Sequence, residues 1–127
     1  MSTTLRNLFL LCALGWASVI FYLSHLPGVD VPPLFFGKDK FFHAIAFGIL
    51  GFFALGSMKT AAQGYRAFQT WLAVILVIGY GVLDEFHQRF VPGRTADIDD
   101  VLADAAGGII GVWVLYLVIN ARARKPG

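Results

Sequence analysis

The sequence predicts an all-α membrane protein in which four transmembrane helices form a single bundle. Hydrophobic residues make up 57% of the 127 residues and charged residues only 14%, whereas an average soluble domain is about 25% charged. Between the charged residues lie four long uncharged runs, at 7–29, 41–58, 67–83 and 105–121. Each run can cross a bilayer as a helix, because about 17–25 residues suffice.

One domain over residues 1–127 is expected, with each span arising from one apolar run. We expect the first run to stay in the protein, because it continues to Leu23 and the following SHLPG has no small-x-small cleavage signal. The third run, TWLAVILVIGYGVL, lacks the polar stripe that a helix of a soluble bundle needs. The expected spans are approximately 7–25, 41–58, 67–85 and 101–120.

The distribution of charge predicts that both termini are cytoplasmic. Four spans place the termini and the loop between the second and third spans at one end of the bundle, with six Lys or Arg residues and no acid. The opposite end has four Lys or Arg residues, all eight acids and all three histidines. Positively charged loops are retained in the cytoplasm. The six positive residues are Arg6, Lys59, Arg66, Arg122, Arg124 and Lys125.

Acidic residues concentrate in the segment DEFHQRFVPGRTADIDDVLAD, which holds six of the eight carboxylates. At about 100° per residue, Asp97, Asp100 and Asp104 share one helix face with Gly107 and Gly111. Small residues let membrane helices approach closely, so we expect this face to point into the bundle. Asp99 falls on the opposite side of the helix.

The second span begins with a polar group of its own. Asp39 is expected near the helix N-terminus, where a carboxylate can accept hydrogen bonds from unpaired N–H groups. His43 lies on the same face, one turn deeper. The long side chain of Lys40 can reach either lipid headgroups or the mouth of a cavity.

The third span ends with Asp84 and Glu85, although helix C-termini favour cations. Glu85 and Gln88 are expected to share one face. The VPGR segment then breaks the helix, leaving Arg94 to pair with carboxylates or to hold a phosphate. His25, together with the proline-rich PGVDVPP nearby, is expected in a loop.

Two segments, DKFFHAIAFGILG and DEFHQRFVPGRTADIDDVLADAAGGIIG, resemble the VanZ-like family of small bacterial membrane proteins. The resemblance implies a multi-pass protein of the bacterial cytoplasmic (inner) membrane that is linked to the cell envelope and to teicoplanin-type antibiotic resistance. Asp104 stands where the family often has asparagine, and Ser24-His25-Leu26 replaces its usual Ser-Ser-Gln. The motifs are Asp39-Lys40-x-x-His43, Asp84-Glu85-x-x-Gln88 and Gly93-Arg94-x-x-Asp97-x-x-Asp100.

These residues lead us to expect an extracytoplasmic pocket that binds or processes an envelope lipid or a lipid-linked glycan. As a catalytic hypothesis, His43 is the base and Glu85 or Asp104 the acid. The alternative is a non-catalytic binding or shielding protein whose polar residues form a structural network. Ser24 is the one candidate nucleophile, so the sequence leaves open whether the protein is an enzyme. The expected substrate-binding residues are Asp39, Lys40, Gln88, Arg94, Asp97 and Asp100.

A divalent metal is a less favoured cofactor on sequence grounds. The histidine and carboxylates supply nitrogen and oxygen ligands, but the chain has no H-E-x-x-H or similar spacing. The expected partners are membrane lipids and a lipid-linked envelope precursor, with no nucleic acid. The oligomeric state is left open.

Overall fold

The computed structural model describes residues 1–27, 38–58 and 64–124, without the side chains of Lys38 and Asp39. The regular structure in these ranges consists of four α-helices, which confirms the all-helical prediction. They are α1 (Thr3–His25), α2 (Lys38–Gly56), α3 (Ala67–Gln88) and α4 (Ile98–Ala123).

Three of these helices, α1, α3 and α4, are long and apolar enough to cross a membrane. Within the described residues, α2 is apolar over the shorter range Lys40–Gly56. Large hydrophobic side chains on the outside of the bundle, such as Leu11, Ile75 and Leu117, are more than 60% exposed. Lipid tails solvate such a surface, and the helices satisfy their own backbone hydrogen bonds there. The prediction of a membrane protein is confirmed to this extent, while the fourth span and the orientation of the termini stay predictions.

The end of α1 corrects one expectation. His25 lies in the last turn of this helix and not in a loop. The helix ends at the next residue, Leu26, which has an extended backbone with ψ of 136°. Leu26 precedes Pro27, and a proline disfavours helical backbone in the residue before it. The helix therefore ends after His25, which agrees with the expected end of the first span near residue 25 and corrects the placement of His25 in a loop.

The closest helix pair is α2 and α4, which touch backbone to backbone. A Cβ atom added at Gly107 would collide with the carbonyl group of Ala44, and one added at Gly111 would collide with that of Gly48. Only a hydrogen atom fits at these two positions on α4, as in other tightly packed membrane helices. The glycine face predicted on α4 is thus the face that contacts α2.

Apolar side chains fill the space between this pair and the other two helices. Phe47 of α2 and Val77 of α3 are almost completely buried and belong to one core cluster. A second cluster lies around Leu55 and Val112. Near it, Asn120 of α4 accepts a hydrogen bond from the backbone N–H of Tyr65 (2.9 Å) and donates one to its carbonyl (3.0 Å). This amide ties the segment before α3 to α4.

Replacing Gly111 with alanine is expected to lower stability by about 1–3 kcal/mol, because the added methyl group meets the backbone of α2. Gly79→Ala in α3 is the matched control, since an added Cβ there has nothing within 4 Å. The control is expected to be neutral or slightly stabilising. Denaturant unfolding of both variants in the same detergent measures the difference, and equal stabilities would contradict the close α2–α4 contact.

Candidate functional site

The C-terminal ends of α1 and α3 meet the N-terminal ends of α2 and α4, and polar side chains gather between them. Six of these polar residues are buried, although they lie next to an apolar core. We call the whole group the polar cluster. Its members are Ser24, Lys40, His43, Asp84, Glu85, Gln88, Asp97, Asp100 and Asp104.

The deepest contact of the polar cluster joins α2 to α4. Nδ1 of His43 lies 2.9 Å from Oδ1 of Asp104, and the side chains are 14% and 1% exposed. Gly81 of α3 leaves the space for this carboxylate, because a Cβ there would lie 3.1 Å from Cβ of Asp104. A charge-assisted hydrogen bond of this kind is about twice as strong as a neutral one. The imidazole is therefore held in one orientation by a buried acid.

Lys40 makes a second link between α2 and α4. Its Nζ lies 3.0 Å from Oδ2 of Asp97 and 3.1 Å from Oδ1 of Asp100. It also lies 3.7 Å from Oδ2 of Asp99. Asp99 was expected on the far side of α4, away from the site. The Asp99 side chain is 60% exposed, which agrees with that face, and the contact arises because a lysine side chain is long enough to reach round the first turn of a helix.

Glu85 reaches from the end of α3 to the beginning of α4. Its Oε2 accepts a hydrogen bond from the backbone N–H of Asp97 at 2.9 Å. Asp97 is the N-cap of α4 and accepts from the N–H of Asp99, also at 2.9 Å. The acid that opposes the dipole of its own helix thus lies at the positive end of the next one. This placement explains a carboxylate at the C-terminus of α3.

The same contacts determine the charge of Asp97. The hydrogen bond from the backbone of Asp99, with help from the ammonium group of Lys40, holds the pKa of Asp97 below its ordinary value. Asp97 is therefore an anion at neutral pH. It keeps Lys40 at the mouth of the polar cluster and caps α4 at the same time.

Asp84 links α3 to α1. Its Oδ2 accepts hydrogen bonds from the hydroxyl of Ser24 (2.7 Å) and from Nε2 of Gln88 (3.1 Å). Gln88 and Glu85 are both buried, and Gln88 bonds to Asp84, the acid four residues before it. The spacing of four residues between Asp84 and Gln88 was the signal for this contact.

Arg94 contacts the end of α1. Its Nη2 and Nε donate to the carbonyl oxygens of Leu23 (3.1 Å) and Leu26 (3.2 Å). We expected pairing with carboxylates or a phosphate, but in the described residues the observed contacts are to carbonyls. The last carbonyls of a helix lack intrahelical partners, and the guanidinium group supplies donors to them.

One contact between two histidines was not predicted from the sequence. Nδ1 of His25 lies 3.1 Å from Nε2 of His87, and both side chains are near the surface. Their rings stack at a centroid distance of 5.3 Å, with Phe21 beside His87. The pair depends on contact between α1 and α3, which no local spacing reveals. Asp39 belongs to α2, but its side chain lies outside the described residues, so its role stays a prediction.

A cavity of about 210 Å³ opens between α1, α2 and α3 beside the polar cluster. Its lining is polar toward the helix ends and apolar toward the bundle core. The lining residues are Ile20, Leu23, Ser24, Phe42, His43, Ala46, Phe47, Asp84, Gln88 and Arg94. A larger groove of about 550 Å³ between α2 and α4 has an almost entirely apolar lining, from Phe41 to Phe53 on α2.

The structure therefore divides the predicted site residues into two groups. His43, Glu85 and Asp100 come together between α2, α3 and α4, and Lys40, Asp97 and Asp104 contact them directly. Gln88 and Arg94 lie on the other side of His43, along the cavity toward α1. His43 is the residue common to both groups.

The family model described as VanZ/LLP1 matches residues 8–119. No curated protein and no solved structure matches the chain significantly.

A double-mutant cycle on His43 and Asp104 is expected to give a coupling energy of about 1–3 kcal/mol. His43→Leu alone leaves a buried carboxylate without its partner, whereas the double variant with Asp104→Leu removes both polar side chains. The free energies of unfolding of the wild type and the three variants measure the coupling. Additive effects would show that the two side chains do not interact in the membrane protein.

Proposed function

Because the chain belongs to the VanZ/LLP1 family, we propose that it is a multi-pass protein of the bacterial cell envelope that binds a lipid headgroup in the cavity beside His43. The ligand class is an envelope lipid or a lipid-linked glycan. The family match supports the membrane-protein part of this proposal. The ligand and the cavity as its site are inferred from the geometry.

The mixed lining of the cavity is the observation that carries the proposal. Hydrogen-bonding groups from Ser24, His43 and Gln88 lie at one end, and apolar groups such as Ile20 and Phe47 lie at the other. A molecule that fits both ends is an amphiphile. The volume of about 210 Å³ corresponds to that of roughly seven water molecules in the liquid. This space accepts a headgroup and the first carbons of an acyl chain, while the rest of the chains and any attached glycan must extend outside it.

Binding is favoured over nucleophilic catalysis by the environment of Ser24. Its hydroxyl donates to the carboxylate of Asp84, and the described contacts place no imidazole on it. The orientation of His43 by Asp104 supports processing of the ligand as the second candidate function, with His43 as base and Glu85 or Asp104 as acid. Such a reaction would use a nucleophile that comes with the ligand or the solvent.

For the cellular role, we propose that occupancy of the cavity by an envelope lipid contributes to teicoplanin-type glycopeptide resistance. This part follows the family resemblance. Substitutions in the cavity would show whether resistance depends on lipid binding or only on the amount of protein in the membrane.

The location proposed for the cavity is the extracytoplasmic side of the inner membrane. Arg6, Arg66 and Arg122 lie at the opposite end of the bundle from the polar cluster, and basic residues favour the cytoplasm. A lipid of the outer leaflet would then reach the cavity from the plane of the membrane.

Reporter fusions test this orientation. Alkaline phosphatase inserted next to Gly93, in the connection between α3 and α4, is expected to be active, and the same enzyme fused after the C-terminus is expected to be inactive. Green fluorescent protein at the C-terminus is the complementary control and should fluoresce. Activity of the C-terminal phosphatase fusion would reverse the proposed orientation.

Substitutions that fill the cavity or remove one of its hydrogen-bond donors should reduce lipid retention. Ala46→Phe places a large side chain in the cavity without removing a polar group, and Gln88→Leu removes one donor. Each is expected to reduce copurified lipid at least about tenfold, which corresponds to roughly 1.4 kcal/mol of binding energy. Native mass spectrometry of the purified protein measures the bound lipid.

Leu14→Phe is the matched control, since Leu14 is an exposed apolar residue of α1 outside the cavity. It should retain lipid as the wild type does. Equal retention in the Ala46→Phe variant would place the lipid elsewhere. A new lipid product formed by the wild type, and absent with His43→Gln, would establish processing in place of binding alone.

A further inference from the structure

Among the residues that the structure describes, the buried acids of the polar cluster outnumber the cationic side chains that contact them. Asp84, Glu85, Asp100 and Asp104 are each at most 7% exposed. In the described part of the chain, Lys40 contacts Asp100, and the imidazole of His43 contacts Asp104. A buried carboxylate needs a cation, a proton or several hydrogen bonds to offset the loss of its hydration. The described cations do not supply this for all four acids.

Unpaired oxygen atoms show where the compensation is missing. Oδ1 of Asp84, Oε1 of Glu85 and Oδ2 of Asp104 are buried and have no hydrogen-bond partner in the part of the chain that the structure describes. Glu85 is 4% exposed, and its other oxygen is used by the N–H of Asp97. A buried carboxylate oxygen without a donor is unusual in a folded protein, and Oε1 of Glu85 is therefore available to a cation, a proton or a water molecule.

The arrangement of the ligating atoms fits a metal ion. His43, Glu85 and Asp100 each offer one ligating atom, and the three atoms lie within 4.8 Å of one another. A point equidistant from three atoms that are 4.8 Å apart lies about 2.8 Å from each, whereas a transition-metal ion bonds nitrogen and oxygen ligands at about 2.1 Å. Each atom therefore needs to move inward by at most about 0.7 Å to reach bonding distance. The residues come from α2, α3 and α4, so the ion would join three helices.

We propose that His43, Glu85 and Asp100 form a binding site for a divalent transition-metal ion such as Zn²⁺ or Mn²⁺. One imidazole nitrogen and two carboxylate oxygens suit these ions. Lys40 holds one oxygen of Asp100, and the second oxygen is the metal ligand. Three protein ligands leave coordination positions open for water or for an added anionic group.

Asp104 acts on this site as a positioning residue. Its hydrogen bond to Nδ1 of His43 fixes the plane of the imidazole ring, as carboxylates behind a metal-bound histidine do. Loss of such a partner weakens metal binding about 10–100-fold. Asp104→Asn is therefore expected to weaken binding by this factor, while Glu85→Gln and Asp100→Asn remove a ligand and abolish it.

The metal site also deepens the proposed function. It shares His43 with the headgroup cavity, so an ion there would attract a phosphate or another anionic headgroup. This role rests on the proposed lipid binding, whereas binding of the ion itself does not. The two are separated by measuring metal binding with Zn²⁺ or Mn²⁺ alone and lipid retention in the presence and absence of the metal.

The experiment is isothermal titration of the purified full-length protein, treated with a chelator, with ZnCl₂ and MnCl₂. The expected result is one ion per chain, with binding lost in Glu85→Gln and Asp100→Asn. The control is the double variant His25→Gln/His87→Gln, which removes the exposed imidazole pair and should bind the ion as the wild type does. Loss of binding in that control would assign the ion to the histidine pair and overturn the proposal.

A spectroscopic measurement on the wild type tests the metal site even if the variants fail to fold. With ¹⁵N-labelled histidine and bound Mn²⁺, pulsed electron paramagnetic resonance should detect coupling to a nitrogen of one imidazole. Absence of imidazole coupling, coupling to two imidazoles, or no stoichiometric binding of either ion would each refute the site. Metal binding without any effect on lipid retention would support the site and reject its role in the proposed function.

Discussion

The close contact between α2 and α4 determines the geometry on which the rest of the structure depends. Gly107 and Gly111 of α4 lie against the carbonyl groups of Ala44 and Gly48 of α2, with no room for a side chain. His43 directly precedes Ala44, and Asp104 lies one turn before Gly107. The distance between the two helix axes therefore brings this imidazole and this carboxylate within hydrogen-bonding reach. The same contact brings Lys40 within hydrogen-bonding reach of the first turn of α4.

The other two helices, α1 and α3, connect to this pair through buried hydrogen bonds at the same end of the bundle. α3 supplies two adjacent acids that face different neighbours, with Glu85 bonded to the N-terminus of α4 and Asp84 bonded to Ser24 of α1. Each acid is stabilised by a donor on another helix and not by its own helix dipole. The polar cluster consequently holds the ends of four helices together. Four of the acids at this end, Asp84, Glu85, Asp100 and Asp104, are buried inside the bundle and so do not face lipid.

Much of the fold was predictable because the hydrocarbon layer imposes a simple rule on the sequence. Runs without charge become helices, and the structure places α1, α3 and α4 where such runs occur. The acidic face of α4 was predictable from 100° geometry, since its glycines identify the side that packs. Contacts between side chains of different helices were not predictable. The Ser24–Asp84 and His25–His87 contacts require knowing which helices are neighbours, and the contacts of Lys40 and Arg94 depend on the reach of flexible side chains.

The proposed metal ligands illustrate the same limit. A local motif such as H-E-x-x-H places its ligands on one helix, whereas His43, Glu85 and Asp100 come from three. Their spacing in the sequence has no period that could reveal them. The convergence is a property of the bundle, and the glycine contact between α2 and α4 produces it.

The most direct test of this account is the ¹⁵N nuclear magnetic resonance spectrum of the His43 side chain in lipid bilayers. The His43–Asp104 contact predicts an Nδ1 resonance typical of a strong hydrogen bond to a carboxylate, distinct from the resonances of His25 and His87, and shifted by Asp104→Asn. A His43 resonance like that of a solvated histidine, unchanged by Asp104→Asn, would contradict the convergence of α2 and α4 around a shared polar cluster.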